Sequence, residues 1–323
     1  MNKKKIPQKK ERVVLIDGRN LLYRAYFSHK GLAHKGKSTS AIYGYPAILK
    51  SIIWKLKPKK VYVVWDGKLS KHRTKLLPTY KKRDKIRLGF DYEDFERQEK
   101  VVMETLKLLG ISQVYQKDME ADDLIYGLSQ RYKAKRIVYI VSSDKDFDQL
   151  LEKRVRIWND KENLLLSHIS LKKKKGYKPF QCVDYLSMVG DDSDKIPGYK
   201  GIGEKGALEI LNKFGTIYDF LENDEFKYKK VDKAKLREVF ELNRQLIDLK
   251  VHWDINHIDL NLAECFIRPN FDIEAFKKLA KKYSLISLTK RIFVEEFKNQ
   301  YYRTHKKTKL LNHGKESNIN LRA

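Results

Sequence analysis

Three carboxylates lie close together in the segment Glu120-Ala121-Asp122-Asp123, directly before an apolar run with the spacing of a helix. The positive end of the helix dipole tolerates acids in a first turn. Taken alone, the segment is more typical of an ordinary helix start than of a metal site. The positions of other acids in the chain change that interpretation.

Three short runs of β-branched and aromatic residues each stop at an aspartate. They end at Asp17, Asp66 and Asp144, and Asp146 comes two residues after the third. Periodic helical stretches separate the runs, which predicts an α/β fold with a mostly parallel central sheet flanked by helices. Ligands bind at the carboxyl ends of such strands. Crowded carboxylates resist ionisation unless cations neutralise them, and an all-oxygen ligand set favours Mg²⁺, with Mn²⁺ as a substitute.

The charge of the whole chain has the opposite sign to that of the candidate site. The 323 residues carry a formal net charge of +27 and give a pI near 9.7. A basic surface around an acidic centre attracts a polyanion, so nucleic acid is the leading substrate class. The charge alone is also consistent with a protein that binds polyanions without chemistry.

Other features bear on location and on the chain ends. Cys182 and Cys265 show no metal or redox spacing and are predicted to be reduced core residues. The chain has no signal-peptide pattern and no long apolar span, which predicts a cytoplasmic protein without membrane contact, in the host cytoplasm if a phage encodes it. Residues 1–11 and 300–323 are Lys-rich, and we predict a basic flexible arm and a basic mobile tail.

A basic segment follows the second predicted strand and contains Arg73, Tyr80, Lys81 and Arg83. Its position beside the site predicts a surface that grips phosphate, with Tyr80 as a stacking platform. Because an amphipathic helix then returns the chain to the sheet, we expect this segment to cover the active face and gate the substrate. Tyr23, in the first predicted helix, is interpreted either as a core aromatic or as a ring that stacks on an unpaired base.

Six motifs in order resemble those of the 5′-nuclease family, which comprises the 5′→3′ exonuclease domain of bacterial DNA polymerase I, the standalone phage exonucleases and the flap endonucleases. The motifs are DGRN (17–20), WDG (65–67), Arg73 with PTYKKR (78–83), EADD (120–123), SSDKD (142–146), and GDDSDKIPG with GIGEKG (190–206). The resemblance covers about residues 12 to 250.

The glycine pattern of the last motif has two interpretations. Gly201, Gly203 and Gly206 fit a dinucleotide-binding fingerprint, but no strand precedes them, so we reject that interpretation. They suit a helix-hairpin-helix turn, where bare backbone and helix-start amides approach a DNA phosphate. The resemblance implies such a turn, often with a K⁺ ion held partly by backbone carbonyls. Its predicted DNA contacts are Gly201, Ile202, Gly203 and Lys205.

The resemblance also implies how the chain is divided. A PIN-like 5′-nuclease catalytic domain is expected over residues 12–189, with a helical arch at about 70–110 over the site. A helical DNA-binding region of the helix-hairpin-helix type, called H3TH in this family, is expected over residues 190–299. The basic arm and the basic tail lie outside these two regions.

The resemblance implies a site with two or more Mg²⁺ ions. The expected ligands of one ion are Asp17, Asp66, Glu120 and Asp122, those of a second ion are Asp144, Asp146, Asp191 and Asp194, and Asp123 serves either directly or through water. Lys81 and Arg83 would stabilise charge on the scissile phosphate, and Tyr80 would help to position it. Arg73 would grip a neighbouring phosphate. Two residues depart from the family pattern, since Asp192 and Lys195 replace a frequent Ser and a common Asn.

The implied activity is metal-dependent hydrolysis of phosphodiester bonds in branched or 5′-ended DNA, by an exonuclease and flap endonuclease of replication or repair. The substrates would be flaps, 5′-overhangs or nicked duplexes. A phage-type RNase H that acts on RNA–DNA hybrids is the nearest alternative, and the sequence does not separate these two preferences. A non-catalytic DNA-binding module is disfavoured because every expected carboxylate is present. A small PIN-type ribonuclease would lack the glycine-rich hairpin. A replicative polymerase or single-strand binding protein is a candidate partner, and a monomer is the family expectation.

Overall fold

The central sheet contains the three strands that were predicted to end at aspartates. The computed structural model describes residues 11–82, 90–226, 228, 231–255 and 266–312. The strands are β1 Arg12–Asp17, β2 Ala33–His34, β3 Lys37–Ser38, β4 Lys60–Trp65, β5 Ser112–Tyr115, β6 Ile137–Val141, β7 Val155–Asn159, β8 Leu164–Leu166, β9 Gly190–Asp191, β10 Ile196–Pro197 and β11 Phe266–Ile267. Seven of them form one sheet in the order β11-β5-β4-β1-β6-β7-β8.

The pairing brings the predicted acids to one edge of this sheet. Strand β1 pairs in parallel with β4 on one side and with β6 on the other. Strands β5 and β7 continue the parallel arrangement, and only the outermost strands β8 and β11 run antiparallel. The carboxyl ends of β1, β4 and β6 are therefore neighbours. The predicted fold class, a mostly parallel sheet flanked by helices, is confirmed.

Helices cover both faces of the sheet. They are α1 Gly18–Ser28, α2 Ser40–Leu56, α3 Lys71–Leu76, α4 Tyr92–Leu108, α5 Ala121–Lys133, α6 Ser170–Lys175, α7 Cys182–Val189, α8 Glu204–Phe214, α9 Ile217–Glu222, α10 Lys233–Ile247, α11 Leu249–Ile255, α12 Ile273–Lys282 and α13 Arg291–Asn312. Alternate residues of β1 face opposite layers, since Val14 and Ile16 pack with α1, α2 and α4 whereas Val13 and Leu15 pack with α5. Within the described residues, no helix is long and apolar enough to cross a bilayer.

Besides the apolar clusters on the two faces of the sheet, a third cluster joins helices α8, α9 and α10. It forms a helical part of the C-terminal half of the chain, in the region where the H3TH element is predicted. The last two helices, α12 and α13, pack with α2 and α4 instead. The domain boundary at residue 189 stays a prediction. Helices α3 and α4 lie within the predicted arch, whose residues 83–89 are outside the described part of the chain. Residues 1–10 of the basic arm and 313–323 of the tail are also outside it.

Candidate metal centre

Hydrogen bonds fix the positions of the acids at the strand ends. Asp17, the last residue of β1, caps α1 by accepting from the Asn20 amide at 3.0 Å, and its second oxygen accepts from the Ser142 hydroxyl at 3.0 Å. The Asp66 carboxylate follows β4 and accepts from the Ala121 amide at 2.9 Å, at the start of α5. These bonds join the end of β1 to α1 and to the segment after β6, and the end of β4 to the start of α5.

A cavity of about 610 Å³ opens at this edge of the sheet. Its predicted acids are Asp17, Asp66, Glu120, Asp122, Asp144 and Asp194, and its other lining residues are Arg19, Asn20, Tyr23, Gly67, Leu69, Lys81, Lys82 and Ser193. The cavity thus brings together acids that are far apart in the chain, since Asp17 and Asp194 are separated by 177 residues. Most of the predicted metal ligands converge on one open space.

Two further predicted ligands, Asp146 and Asp191, form a second group with Asp194 beside this cavity. Carboxylate oxygens of Asp146, Asp191 and Asp194 all lie within 4.8 Å of one another. Asp191 is held in the β9–β10 hairpin, which requires glycine at position 190: a Cβ there would lie 2.4 Å from the Gly198 nitrogen, and φ is +83°. The Asp146 Oδ1 atom is buried and accepts no hydrogen bond within the described part of the chain.

The electrostatics of these acids fit divalent cations. Burial, with the charges of Asp66 and Asp144, raises the pKa of Asp17 to about 7. Burial also raises the pKa of Asp194 to about 6, although the Lys81 cation opposes the shift. The pKa values of Asp122 and Asp146 are raised for the same reason, burial among other acids. Cations between these groups would remove the repulsion and supply the partner that Asp146 Oδ1 lacks.

Lys81 lies among the acids rather than on an outer surface. Its ammonium is 2.8 Å from Glu120 Oε2, 3.2 Å from Asp122 Oδ2 and 3.7 Å from Asp194 Oδ2. Burial alone would raise the pKa of Glu120, but the Lys81 and Arg73 cations outweigh it and lower that pKa to about 2. The predicted catalytic lysine therefore borders both groups of acids.

Tyr80 is placed differently from the sequence prediction. Its side chain is only 3% exposed, and its hydroxyl donates to Glu120 Oε2 at 3.2 Å. The ring is too buried here to stack on a base, and the hydroxyl already has an acceptor. In this structure Tyr80 contacts Glu120, and its predicted contacts with substrate stay predictions.

Arg73 and Asp123 form a buried ion pair. The Arg73 guanidinium is 1% exposed and donates to both oxygens of Asp123, at 3.0 and 3.1 Å, and to Glu120 Oε1 at 2.9 Å. Asp123 is fully buried, and it does not line the cavity. Each charge is neutralised by the other, so both residues have a structural role here, and the predicted phosphate contact of Arg73 and metal contact of Asp123 stay predictions.

Removing the Arg73 charge should destabilise the fold strongly. Arg73→Met leaves Asp123 buried without its cation, and breaking a buried pair from one side costs about 3 to 5 kcal/mol. Urea unfolding followed by circular dichroism measures the loss. Lys75→Met, at an exposed position of the same helix, is the control and should change stability by less than about 0.5 kcal/mol. Equal stability of the two variants would contradict the buried-pair assignment.

The other predicted DNA-contacting residues, apart from Ile202, occupy accessible positions. Tyr23 lines the cavity while its ring stacks on Phe90 at a centroid distance of 5.6 Å, so it combines features of both interpretations. Gly201, Gly203 and Lys205 are exposed in the turn before α8 and in its first turn. Ile202 is 3% exposed and packs into the helical cluster as an anchor of the turn. Arg83 lies outside the described residues.

Several residues at the site were not singled out from the sequence. Arg19 and Lys82 line the cavity, and Arg19 forms a two-point ion pair with Glu99 at 2.9 Å for each bond. The Lys145 ammonium lies 3.4 Å from Asp191 Oδ2. Each of these three residues belongs to a motif that already contained a predicted ligand or cation, so adjacency to the motif acids was the available signal.

Fold and site together define a class of protein. A parallel sheet whose strand ends gather acids into a cavity, inside a strongly basic chain, is typical of metal-dependent hydrolases that act on nucleic acid. The family comparison is more specific. The family described as 5′-3′ exonuclease, N-terminal resolvase-like domain, matches residues 12–176, and 5′-3′ exonuclease, C-terminal SAM fold, matches residues 177–269. The chain belongs to the 5′-3′ exonuclease family, and the prediction of a 5′-nuclease is confirmed.

Individual relatives agree with this assignment. A 5′-3′ exonuclease of Aquifex aeolicus (strain VF5) is 34% identical over 281 residues, which cover 86% of this chain and 94% of that protein. The thermostable DNA polymerase I of Thermus caldophilus is 37% identical over 258 residues, 76% of this chain but only 30% of the polymerase. Among solved structures, the bacteriophage T5 D15 flap endonuclease in a complex with DNA and metal ions has a TM-score of 0.66 at 20% identity, over 85% of this chain and 100% of that chain.

Proposed function

We propose that this protein is a structure-specific, Mg²⁺-dependent 5′→3′ exonuclease and flap endonuclease that hydrolyses phosphodiester bonds in branched or 5′-ended DNA. The observation that carries the proposal is the pair of adjacent acid groups: six acids around one cavity, and Asp146 and Asp191 clustered with Asp194 at its side. A relative with a similar fold is named as a flap endonuclease in complex with DNA and metal ions. A binding module would have no use for so many buried acids.

The acids divide into two ligand sets for this function. Asp17, Asp66 and Asp122 would hold one ion, Asp146, Asp191 and Asp194 would hold another, and Asp144 is close enough in sequence and space to serve either set. Two bound ions supply an activated water, a clamp on the scissile phosphate and stabilisation of the leaving 3′-oxygen. Glu120 would act indirectly by holding Lys81, since both of its carboxylate oxygens already accept hydrogen bonds from protein donors.

The cations at the rim would bind the substrate phosphate. Lys81 borders Asp122 and Asp194 and can turn from these acids to a phosphate in the cavity, where its charge stabilises the transition state. Arg19 and Lys82 lie in the same wall. Arg83, which follows in the basic motif, is proposed for the same role from the family pattern. The products would carry 5′-phosphate and 3′-hydroxyl ends.

Duplex DNA would be held by the turn before α8. Gly201 and Gly203 are exposed, and nothing lies within 4 Å of a Cβ built on either, so a phosphate can approach the backbone closely. Lys205 is exposed in the first turn of α8 and adds a positive charge. A K⁺ ion bound by carbonyls of this turn belongs to the same proposal.

A substitution in this turn should weaken duplex binding. Gly201 has φ of +104°, so Gly201→Ala strains the turn by about 1 to 3 kcal/mol, and duplex affinity should fall about tenfold if the turn distorts to relieve that strain. Fluorescence anisotropy with a labelled duplex in EDTA measures the change. Gly215→Ala, with φ of +88° at the other end of α8, is the matched control and should leave affinity within about twofold. Equal losses in both variants would remove the turn from the DNA surface.

The cellular setting follows from the same proposal. The chain spans nearly all of the Aquifex exonuclease but about a third of DNA polymerase I. A replicative polymerase is a candidate partner in replication or repair. A single-strand binding protein is a second candidate partner. We place the enzyme in the cytoplasm as a monomer.

A flap assay tests the proposed function. A 5′-labelled DNA flap, a blunt duplex and a matched flap with an RNA 5′ segment are incubated with Mg²⁺ or with EDTA, and products are sized on a denaturing gel. Mg²⁺-dependent cuts near the flap junction are expected, with slower cutting of the blunt duplex. Tight binding without cleavage in Mg²⁺ and Mn²⁺ would overturn the proposal, and cutting confined to the RNA segment would favour the RNase H alternative.

A further inference from the structure

A buried polar network lies behind the catalytic cavity, on the side of the C-terminal helices. It consists of Ser70, Arg73, Asp123 and His252, which are 5%, 1%, 0% and 4% exposed. None of the four lines the cavity. Buried charged groups contribute little net stability compared with apolar packing, but they fix orientation through directed hydrogen bonds. The question is which group this network orients.

The network ends at one carboxylate oxygen, Glu120 Oε1. This oxygen accepts from the Ser70 backbone amide at 3.2 Å and from Arg73 Nη1 at 2.9 Å. No other donor to Oε1 is present among the described residues. The other oxygen, Oε2, faces Tyr80 and Lys81. The orientation of Glu120, and with it the place of the Lys81 ammonium, therefore depends on how Ser70 and Arg73 are held.

His252 contacts both of these supports. Its Nε2 atom lies 2.7 Å from the Ser70 hydroxyl, and its Nδ1 atom lies 3.0 Å from Asp123 Oδ1. Asp123 in turn receives two bonds from the Arg73 guanidinium. One imidazole thus braces the Ser70 loop from one side and the Asp123–Arg73 pair from the other.

The imidazole belongs to a distant part of the chain. His252 lies on α11, which follows α10 of the C-terminal helical part, and Arg73 also donates to the Leu246 carbonyl of α10 at 2.9 Å. The C-terminal helices therefore reach the acid helix α5 through polar contacts to its first turn. A shift of α10 and α11 relative to the sheet would change the support of Glu120.

We propose that His252 is a positioning residue for the metal centre. Through Ser70 and the Asp123–Arg73 pair it keeps Glu120 in place to hold the Lys81 ammonium, which would otherwise compete with a cation for Asp122 and Asp194. This inference rests on the proposed function. Outer groups that orient a metal site typically change metal affinity or activity by about 10-fold to 100-fold when removed. A purely structural cross-link would lower thermal stability without changing the affinity of the folded protein for metal.

Calorimetric titration with Mn²⁺ in the absence of DNA tests the inference on the full chain. His252→Leu should bind Mn²⁺ about tenfold more weakly than the unmodified protein, and His252→Gln, whose amide can bond in both directions, should recover most of the affinity. Tyr132→Phe is the matched control, because it removes a buried hydroxyl pair of 2.7 Å at the far end of the same helix α5. It should lower the melting temperature and leave Mn²⁺ affinity unchanged.

Further variants keep the test decisive if His252→Leu does not fold. Ser70→Ala removes the hydroxyl that His252 contacts but keeps the amide that donates to Glu120, so it should weaken Mn²⁺ binding by itself. If His252→Leu does fold, the Ser70→Ala/His252→Leu double variant should lose less Mn²⁺ affinity than the product of the two single losses. Both substitutions act along one path. Unchanged Mn²⁺ affinity in Ser70→Ala and His252→Leu would overturn the positioning role alone. An unmodified protein that binds no Mn²⁺ would overturn the proposed function with it.

Discussion

Asp191→Asn is expected to reduce the cleavage rate of a flap substrate by at least about a thousandfold while duplex affinity stays within about threefold. Asp191 is 5% exposed and contributes to the group in which oxygens of three acids lie within 4.8 Å. An amide of the same shape removes one negative charge from this group, which weakens the hold on a divalent cation. Asp144→Asn, at the wall of the cavity, is expected to behave in the same way. Single-turnover cleavage and anisotropy on one substrate measure the two quantities.

The same motif supplies the control for this experiment. Asp192 is adjacent in sequence, exposed, and not part of the cavity wall. Asp192→Asn makes the same chemical change and should cleave at the unmodified rate. Normal cleavage by both Asp191→Asn and Asp144→Asn would show that these acids do not hold catalytic metal.

Lys81→Met should lower the cleavage rate at saturating substrate by about 100-fold, because it removes a positive charge aimed at the reacting phosphate. Its effect on metal binding should have the opposite sign. The ammonium now lies 3.2 Å from Asp122 and 3.7 Å from Asp194, so its removal frees both carboxylates for a cation. Mn²⁺ affinity by calorimetry should therefore equal or exceed that of the unmodified protein.

Two outcomes would contradict this view of Lys81. An unchanged cleavage rate would remove the lysine from catalysis, and a large loss of metal affinity would mean that its main role is to assemble the acids. Lys75→Met controls for loss of positive charge, since Lys75 is exposed and lies outside the cavity. It should affect neither measurement.

The strand-end acids could be predicted from sequence because their placement depends on a simple rule. Asp17, Asp66 and Asp144 follow apolar runs whose pattern indicates buried parallel strands, and the carboxyl ends of such strands meet at one edge. The structure has this geometry, and the cavity forms there. Glu120 and Asp122, at the start of α5, bring two more acids to the same edge of the sheet.

The roles of Asp123, Arg73 and Tyr80 could not be predicted in this way. Successive residues of a helix point about 100° apart, so Asp122 and Asp123 face different surroundings although they are neighbours in sequence. Asp123 contacts His252, which lies 129 residues later in the chain. No local sequence pattern reveals how the helix that carries His252 packs. Similarly, the basic motif shows that cations are present but not that Arg73 is turned inward to neutralise a buried acid.

Two divalent cations held by the two acid groups should be visible by anomalous diffraction from crystals soaked in Mn²⁺. We expect two anomalous peaks: one among Asp17, Asp66 and Asp122, and one among Asp146, Asp191 and Asp194. Crystals of Asp191→Asn, soaked in the same way, should lose the second peak and keep the first. The two-cation assignment would be wrong if well-diffracting crystals of the unmodified protein showed no peak in either group at saturating Mn²⁺.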